Sequence, residues 1–149
     1  MGSITIRPVL AADEDAWREL WRGYCEFYRV DLGREVTDRT WKRLLAGESG
    51  FMCMIAEVDS RVCGFANCVV HGNTWELQPV CYLEDLFVAP DVRGRGVGKA
   101  LIAWLRNSMQ SEGWARVYWM THKDNAAARS LYDRFTQADE FVRYVMRAR

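Results

Sequence analysis

The run VRGRGVGKAL, residues 92–101, sets glycines at 94, 96 and 98 and arginines at 93 and 95 between two stretches of different periodicity. Before it, PVCYLEDLFV is rich in β-branched and aromatic residues and is closed by Pro90, the pattern of a strand. After it, Val97, Leu101, Trp104, Leu105 and Met109 recur at helical spacing and stop near Gly113, the pattern of an amphipathic helix. ARVYWMT then reads as a further strand. A strand over 80–88, a helix over 97–112 and a strand over 115–121 together imply a parallel, right-handed βαβ crossover. The glycine-arginine loop falls at the carboxyl end of the first strand, where such sheets bind ligands. Its glycines allow positive φ and close backbone approach. Its arginines suit an anion, and the helix that follows points free N–H groups and its positive dipole end at the same place. The loop reads as a phosphate cradle.

The rest of the chain surrounds this unit. SITIRPV is a first strand. Asp13 is placed to cap a helix carrying Trp17, Leu20, Trp21, Tyr24 and Tyr28 at spacings of three and four. Gly33 breaks that helix, Thr37 can cap a second, shorter one, and Gly47 ends it. FMCMIAEV and RVCGFANCVVHG form a hairpin about Asp59-Ser60. KDNAAARSLYDRF gives a helix over 125–135 with Asp124 or Asn125 near its cap, and EFVRYVM a last strand. The order β-α-α-β-β-β-α-β-α-β is neither an all-β series nor a βαβ alternation throughout. It implies an α/β (α+β) fold with a mixed, twisted central sheet flanked by helices.

Composition narrows the function. At 149 residues the chain has the length of one domain. Its 20 basic and 20 acidic residues balance, which argues against a general nucleic-acid binder. Five cysteines form no C-x-x-C pair, and two distant histidines supply no metal-ligand spacing. Four of those cysteines lie in apolar, strand-like runs, as reduced core residues do. No spanning apolar run or signal peptide is present, so the expectation is a cytoplasmic protein with no membrane partner and no metal.

Two familiar phosphate loops fail on spacing. The dinucleotide fingerprint needs G-x-G-x-x-G, and here the glycines fall as G-x-G-x-G. A P-loop needs Gly where Arg93 stands and Ser or Thr where Ala100 stands. What fits is R-x-x-G-x-G over Arg93–Gly98. With the preceding LEDLFVAPDV and the later NAAARSLY, this resembles the GNAT family of N-acetyltransferases, whose pyrophosphate arm has the form Q/R-x-x-G-x-G/A. The resemblance covers nearly the whole chain, as a single N-acetyltransferase domain over 1–149. YLEDLFV is similar to diamine and polyamine acetyltransferases, and AWRELWRGYCEFYRV with VYWMT to the fungal histone/polyamine branch and its bacterial relatives. One departure is Thr136-Gln137, where the family usually has Gly-Phe.

The resemblance implies acetyl-CoA as cosubstrate and direct transfer to an amine: a polyamine or diamine, an amino acid, or a lysine-like group. Backbone groups from Arg93, Gly94, Arg95, Gly96, Val97, Gly98 and Lys99 would hold the pyrophosphate. Those of Leu86, Phe87 and Val88 would hold the pantetheine arm and steady the thioester oxygen. Asn125 matches a CoA contact and is equally placed as a helix cap. Tyr132 matches the general acid, a phenol near pKa ~10 serving a thiol near ~8.5. A protonated amine needs a carboxylate base, and Glu84 and Asp85 are the two acids in an otherwise apolar strand; the resemblance to polyamine enzymes favours Glu84 as base or amine-binding group, and the fungal branch implies an acid at Asp85. Regular alternation lets only one of them face the cleft. Trp21, Tyr24 and Tyr28, with Asp31 and Glu35, are acceptor-pocket candidates, and the aromatic stripe is equally a core face. A silent acyl-CoA-binding module is the competing reading. The histone/polyamine branch implies a homodimer, with EFVRYVM available to a partner.

Overall fold

The computed structural model describes Gly2 to Ala148. Its elements are β1 (Ile4–Pro8), α1 (Glu14–Tyr28), α2 (Gly33–Ala46), β2 (Phe51–Val58), β3 (Arg61–His71), β4 (Val80–Val88), α3 (Val97–Glu112), β5 (Val117–Trp119) and α4 (Ala126–Tyr132). The five strands form one sheet in chain order. The first four pair antiparallel, and β5 lies parallel to β4. The mixed sheet and the α3 crossover are those the sequence implies. The β2–β3 hairpin turns on Asp59 and Ser60, both left-handed at φ 50° and 65°, the backbone a two-residue hairpin needs to match strand twist.

Register assigns the faces. Ile55, Phe65 and Phe87 are cross-strand partners, as are Cys53, Asn67 and Asp85, so all six side chains share one face. Helices α1 and α2 cover that face. Trp17 is fully buried and packs on Trp21, Trp41 and Phe65 at 5.2, 5.3 and 6.1 Å. Gly23 lets α1 lie directly on β4, since a Cβ there would stand 2.9 Å from the Phe87 ring. The opposite face holds α3, whose Val97 lies 3.3 Å from where a Gly64 Cβ would be. Leu101 and Leu105 of α3 are buried.

Four local expectations change. Asp13 precedes α1, but its carboxylate does not cap it. Arg7 donates to both oxygens at 2.8 and 2.9 Å, and the Leu10 N–H donates at 2.7 Å. Helix α2 begins at Gly33, so Thr37 is mid-helix, where its Oγ1 accepts from Trp21 Nε1 at 3.1 Å. The helix expected over 125–135 is regular only to Tyr132, with turns beyond it. EFVRYVM forms no strand. It runs irregularly with Phe141, Val142, Tyr144 and Met146 exposed, because alternation supplies a face but no ladder partner.

Candidate active site

The site is organised by an irregularity in β4. Cys68 pairs with Leu83, and Asn67 with Asp85, so Glu84 is an extra residue, a β-bulge. Its first consequence concerns faces. Tyr82 lies opposite Val69 and Asp85 opposite Asn67, both on the α1 face, and Glu84 alternates from Leu83 onto that face as well. The rule that only one of the two acids can face the cleft assumes a regular strand. The bulge brings Glu84 and Asp85 to the same side.

Its second consequence concerns backbone direction. Before the bulge, the Cys81 N–H points toward β5 and donates to Arg116 O at 3.0 Å. After it, the Ala89 N–H points the other way, to Cys63 O of β3 at 2.8 Å. Alternation back from Ala89 turns Phe87 toward β3 and leaves Leu86 and Val88 aimed at the opposite edge. That edge is open, because β5 pairs only Cys81, Tyr82 and Leu83 through Val117, Tyr118 and Trp119. A cleft thus opens between β4 and the course of β5, lined by the backbone of Leu86 and the N–H of Val88, whose carbonyl is taken by Arg93.

Beyond the cleft, Arg61 makes a two-pronged bond to Asp91 at 2.6 and 2.9 Å and fixes the turn that enters the glycine-arginine loop. Gly94 and Gly96 adopt φ 79° and 89°, and nothing lies within 4 Å of a Cβ built on either. Gly96 is the N-cap of α3 with no side chain on the helix end, so the amides of Val97, Gly98 and Lys99 remain available. Gly98 has a different reason: its Cβ would stand 3.1 Å from Leu131, so it permits α4 to pack on α3. Arg93 folds back to donate from Nε to Val88 O at 2.9 Å, with its guanidinium 5.1 Å from the Phe87 ring centre. Arg95 and Lys99 are exposed.

Around Asp85 the side chains converge. Asn67, 2% exposed, donates from Nδ2 to Asp85 Oδ2 at 3.1 Å, and its own Oδ1 has no partner among the described residues. Tyr24 of α1 brings its hydroxyl against the same carboxylate. Burial raises Asp85 above the ordinary carboxylate range, and the contacts from Tyr24 and Asn67 oppose the rise. Burial, with Asp85 adding to it, likewise raises the Tyr24 and Tyr28 phenols. Tyr24 and Tyr28 pack at 4.8 Å, and Trp21 stacks beneath Tyr24 at 5.1 Å but is itself core, 6% exposed. Asp31 and Glu35 do not join this cluster; they line grooves at the α1–α2 junction and on α2. Glu84 is exposed, is raised by desolvation and then by Asp85, and is opposed by Arg143.

Tyr132, the last residue of α4, rests edge-on against Trp119 at 5.4 Å, and burial, with Tyr28 adding, pushes its phenol up to about 12. The influence of Tyr28 connects α4 to the Asp85 group. Asn125 caps α4, accepting from the Ala128 N–H at 3.3 Å.

Residues 15–136 match the model of the acetyltransferase (GNAT) family. The chain belongs to that family. It is 29% identical over 144 residues to the D-amino-acid N-acetyltransferase of Saccharomyces cerevisiae, covering 95% of this chain and 89% of the yeast one. An aminoglycoside N(6')-acetyltransferase type 1 of Stenotrophomonas maltophilia is 31% identical over 113 residues, 70% of this chain and 69% of its own. Among solved structures, the ribosomal-protein-alanine N-acetyltransferase of Brucella melitensis biovar Abortus 2308 shares the fold at TM-score 0.83 and 20% identity, covering 98% of this chain and all of the other. AAC(6')-Iy with a bisubstrate analogue does so at TM-score 0.82 and 22% identity, covering 99% of this chain and 100% of that one. This chain is a GNAT-type N-acetyltransferase, and its reaction is acetyl transfer to an amine.

Two features of the candidate site are not legible in the sequence. Asn67 sits in an apolar strand run, and a lone buried amide in such a run is the available signal. Tyr82 and Tyr118 stack at 4.7 Å, with the Tyr118 hydroxyl 2.7 Å from His71 Nε2; only the β4–β5 register brings them together.

Proposed function

We propose that the chain acetylates a small primary amine with acetyl-CoA as cosubstrate, by direct attack, with Asp85 holding the amine and taking its proton. The bulge at Glu84 carries this reading, since one extra residue both exposes the Leu86 and Val88 backbone and sets a carboxylate beside it. The residues present fit acetyl-CoA. The Leu86 backbone and the Val88 N–H can meet an extended amide-bearing arm, and the free amides of Val97, Gly98 and Lys99 with the open space at Gly94 and Gly96 suit its pyrophosphate. When bound, the cosubstrate supplies an activated acetyl thioester.

The chain supplies proton handling and orientation. An alkyl ammonium with pKa near ~10 must lose a proton before it can attack. The Asp85 carboxylate, raised by burial, is a better acceptor of that proton than a solvated aspartate. Asn67 and Tyr24 fix its orientation, and Tyr28 adds an aromatic wall to the ammonium's seat. Tyr132, held at about 12, stays protonated at neutral pH and so keeps a proton to give to a leaving sulfur. Glu84 lies on the same face as Asp85, but its exposure makes it the lesser candidate for the base. Five free cysteines, four of them buried, suit a reducing cytoplasm. The exposed apolar side chains of 141–146 suit contact with a second copy in a homodimer.

The test is CoA-thiol release from acetyl-CoA with monoamines, diamines, amino acids and a basic peptide. Release that depends on the acceptor and falls at least a hundredfold in Asp85→Asn and Tyr132→Phe is expected. Full release in Asp85→Asn would remove the assigned base.

A further inference from the structure

The first arginine of the phosphate loop turns its side chain back onto the strand before it. Arg93 donates from Nε to Val88 O at 2.9 Å, and its guanidinium lies 5.1 Å from the Phe87 ring centre. Both partners belong to β4, the strand that lines the cleft. Arg95 and Lys99 are exposed at the loop and the first turn of α3, so positive charge for a pyrophosphate is at hand without Arg93.

The turn that leaves β4 builds this contact. The Val92 N–H donates to Ala89 O at 3.0 Å, and the Arg61–Asp91 pair ties the turn to β3. The chain thereby returns Arg93 to the carbonyl five residues behind it. That carbonyl shares a peptide unit with the Ala89 N–H, which donates to Cys63 O of β3 at 2.8 Å. A peptide unit is planar, so its two ends turn together. Cys63 holds one end and Arg93 the other, and the unit cannot rotate without breaking both bonds. The preceding unit carries the Val88 N–H, which faces the open edge. No strand pairs with that edge beyond Leu83. Arg93 supplies there the donor that a neighbouring strand would give, and the Val88 N–H keeps its direction.

We propose that Arg93 is a positioning residue that acts through Val88, holding the end of β4 in the form that receives the acyl donor's arm, and that its charge is not what the site uses. This rests on the reading of the cleft as an acetyl-CoA site. The two possible roles of an arginine here differ in the atom they need. A grip on Val88 O needs an N–H donor at the position of Nε, whereas a pyrophosphate contact needs the positive charge. Glutamine places an amide nitrogen at the same distance along the side chain as Nε, without charge. Lysine keeps the charge and puts a methylene there.

The experiment compares wild type with Arg93→Gln, Arg93→Lys and Arg93→Ala on two donors, acetyl-CoA and S-acetylpantetheine, which has the thioester and the arm but no pyrophosphate. The acceptor is whichever amine of the panel above releases most thiol in wild type. Arg93→Ala and Arg93→Lys are expected to lose at least tenfold in kcat/KM, by the same factor on both donors, and Arg93→Gln to recover most of it. A loss on acetyl-CoA that disappears on S-acetylpantetheine overturns the proposal, as does rescue by lysine and not by glutamine. Hydrogen exchange of the Ala89 amide, followed by NMR in the protein without cosubstrate, reads the grip independently of activity. It should quicken several-fold in Arg93→Ala and Arg93→Lys and stay at the wild-type rate in Arg93→Gln. Equal exchange in all four proteins overturns the grip whatever the enzyme does. The expected exchange pattern with no thiol release from any acceptor would support the grip and sink the acetyl-CoA reading.

Discussion

Two aspartates on one side of this sheet carry opposite perturbations, and each makes its own prediction. Burial raises Asp85, so its charge costs folding stability at neutral pH. Its favourable contribution is present below the ordinary aspartate value of about 3.9 and is lost as pH rises through the elevated one. Asp85→Asn should therefore cut kcat by about 10²–10⁴ while raising Tm at pH 7, and that gain should shrink as the pH is lowered. A loss of both activity and Tm would mean that the carboxylate is structural. The wild-type pH–rate profile should lose activity in acid with an apparent pKa above the usual carboxylate range. Asp13 is the contrary case. The Arg7 guanidinium holds it below its ordinary value, with the Leu10 amide assisting. Its stabilisation is complete above about 3.9 and is lost as pH falls through the depressed value. Because Asp13 is 6% exposed, Asp13→Asn should cost about 3 kcal/mol in urea unfolding at pH 7. The gap to wild type should close in strong acid.

At the scale of elements, the packing of α4 depends on a missing side chain. Gly98 stands where any Cβ would press on Leu131 at 3.1 Å. Gly98→Val should lower thiol-release activity at least tenfold through a displaced Tyr132 and cost about 1–3 kcal/mol; an unchanged kcat would free Tyr132 from its catalytic assignment. The sequence reads this glycine as one of three phosphate-loop glycines, because the motif specifies spacing and not what approaches each position. The same division runs through the fold. Helix α3 is legible from end to end, since Val97, Leu101 and Leu105 set its face and Gly113 its stop. Helix α2 is not legible at its start, because Leu32 and Gly33 offer no side-chain cap and Thr37 is taken by Trp21. The bulge at Glu84 is illegible for a deeper reason. Nothing in YLEDLFV marks an extra residue, and its existence lies in the pairing of Asn67 and Cys68 with β4. Leu86, Val88 and Tyr132 could be named from the motif, but the division between Glu84 and Asp85 required the register.

For the whole molecule, the unsolved burial problem is the carboxyl-terminal segment. Phe141, Val142, Tyr144 and Met146 are 79%, 75%, 92% and 99% exposed, in a run whose alternation reads as a strand. A monomer gains little from holding such a segment in water, where apolar area is worth about 25 cal/mol per Å² once covered. β5 meanwhile ends the sheet as a three-residue strand with a free outer edge, the kind of edge that accepts a further strand. Both features are repeated on every copy, so two copies can satisfy each other about a two-fold axis. Sedimentation equilibrium at micromolar concentration should therefore report a dimer, and a chain ending at Asp139 should report a monomer with near-UV circular dichroism like that of the full chain. If the full chain sediments as a monomer, the segment does not serve assembly.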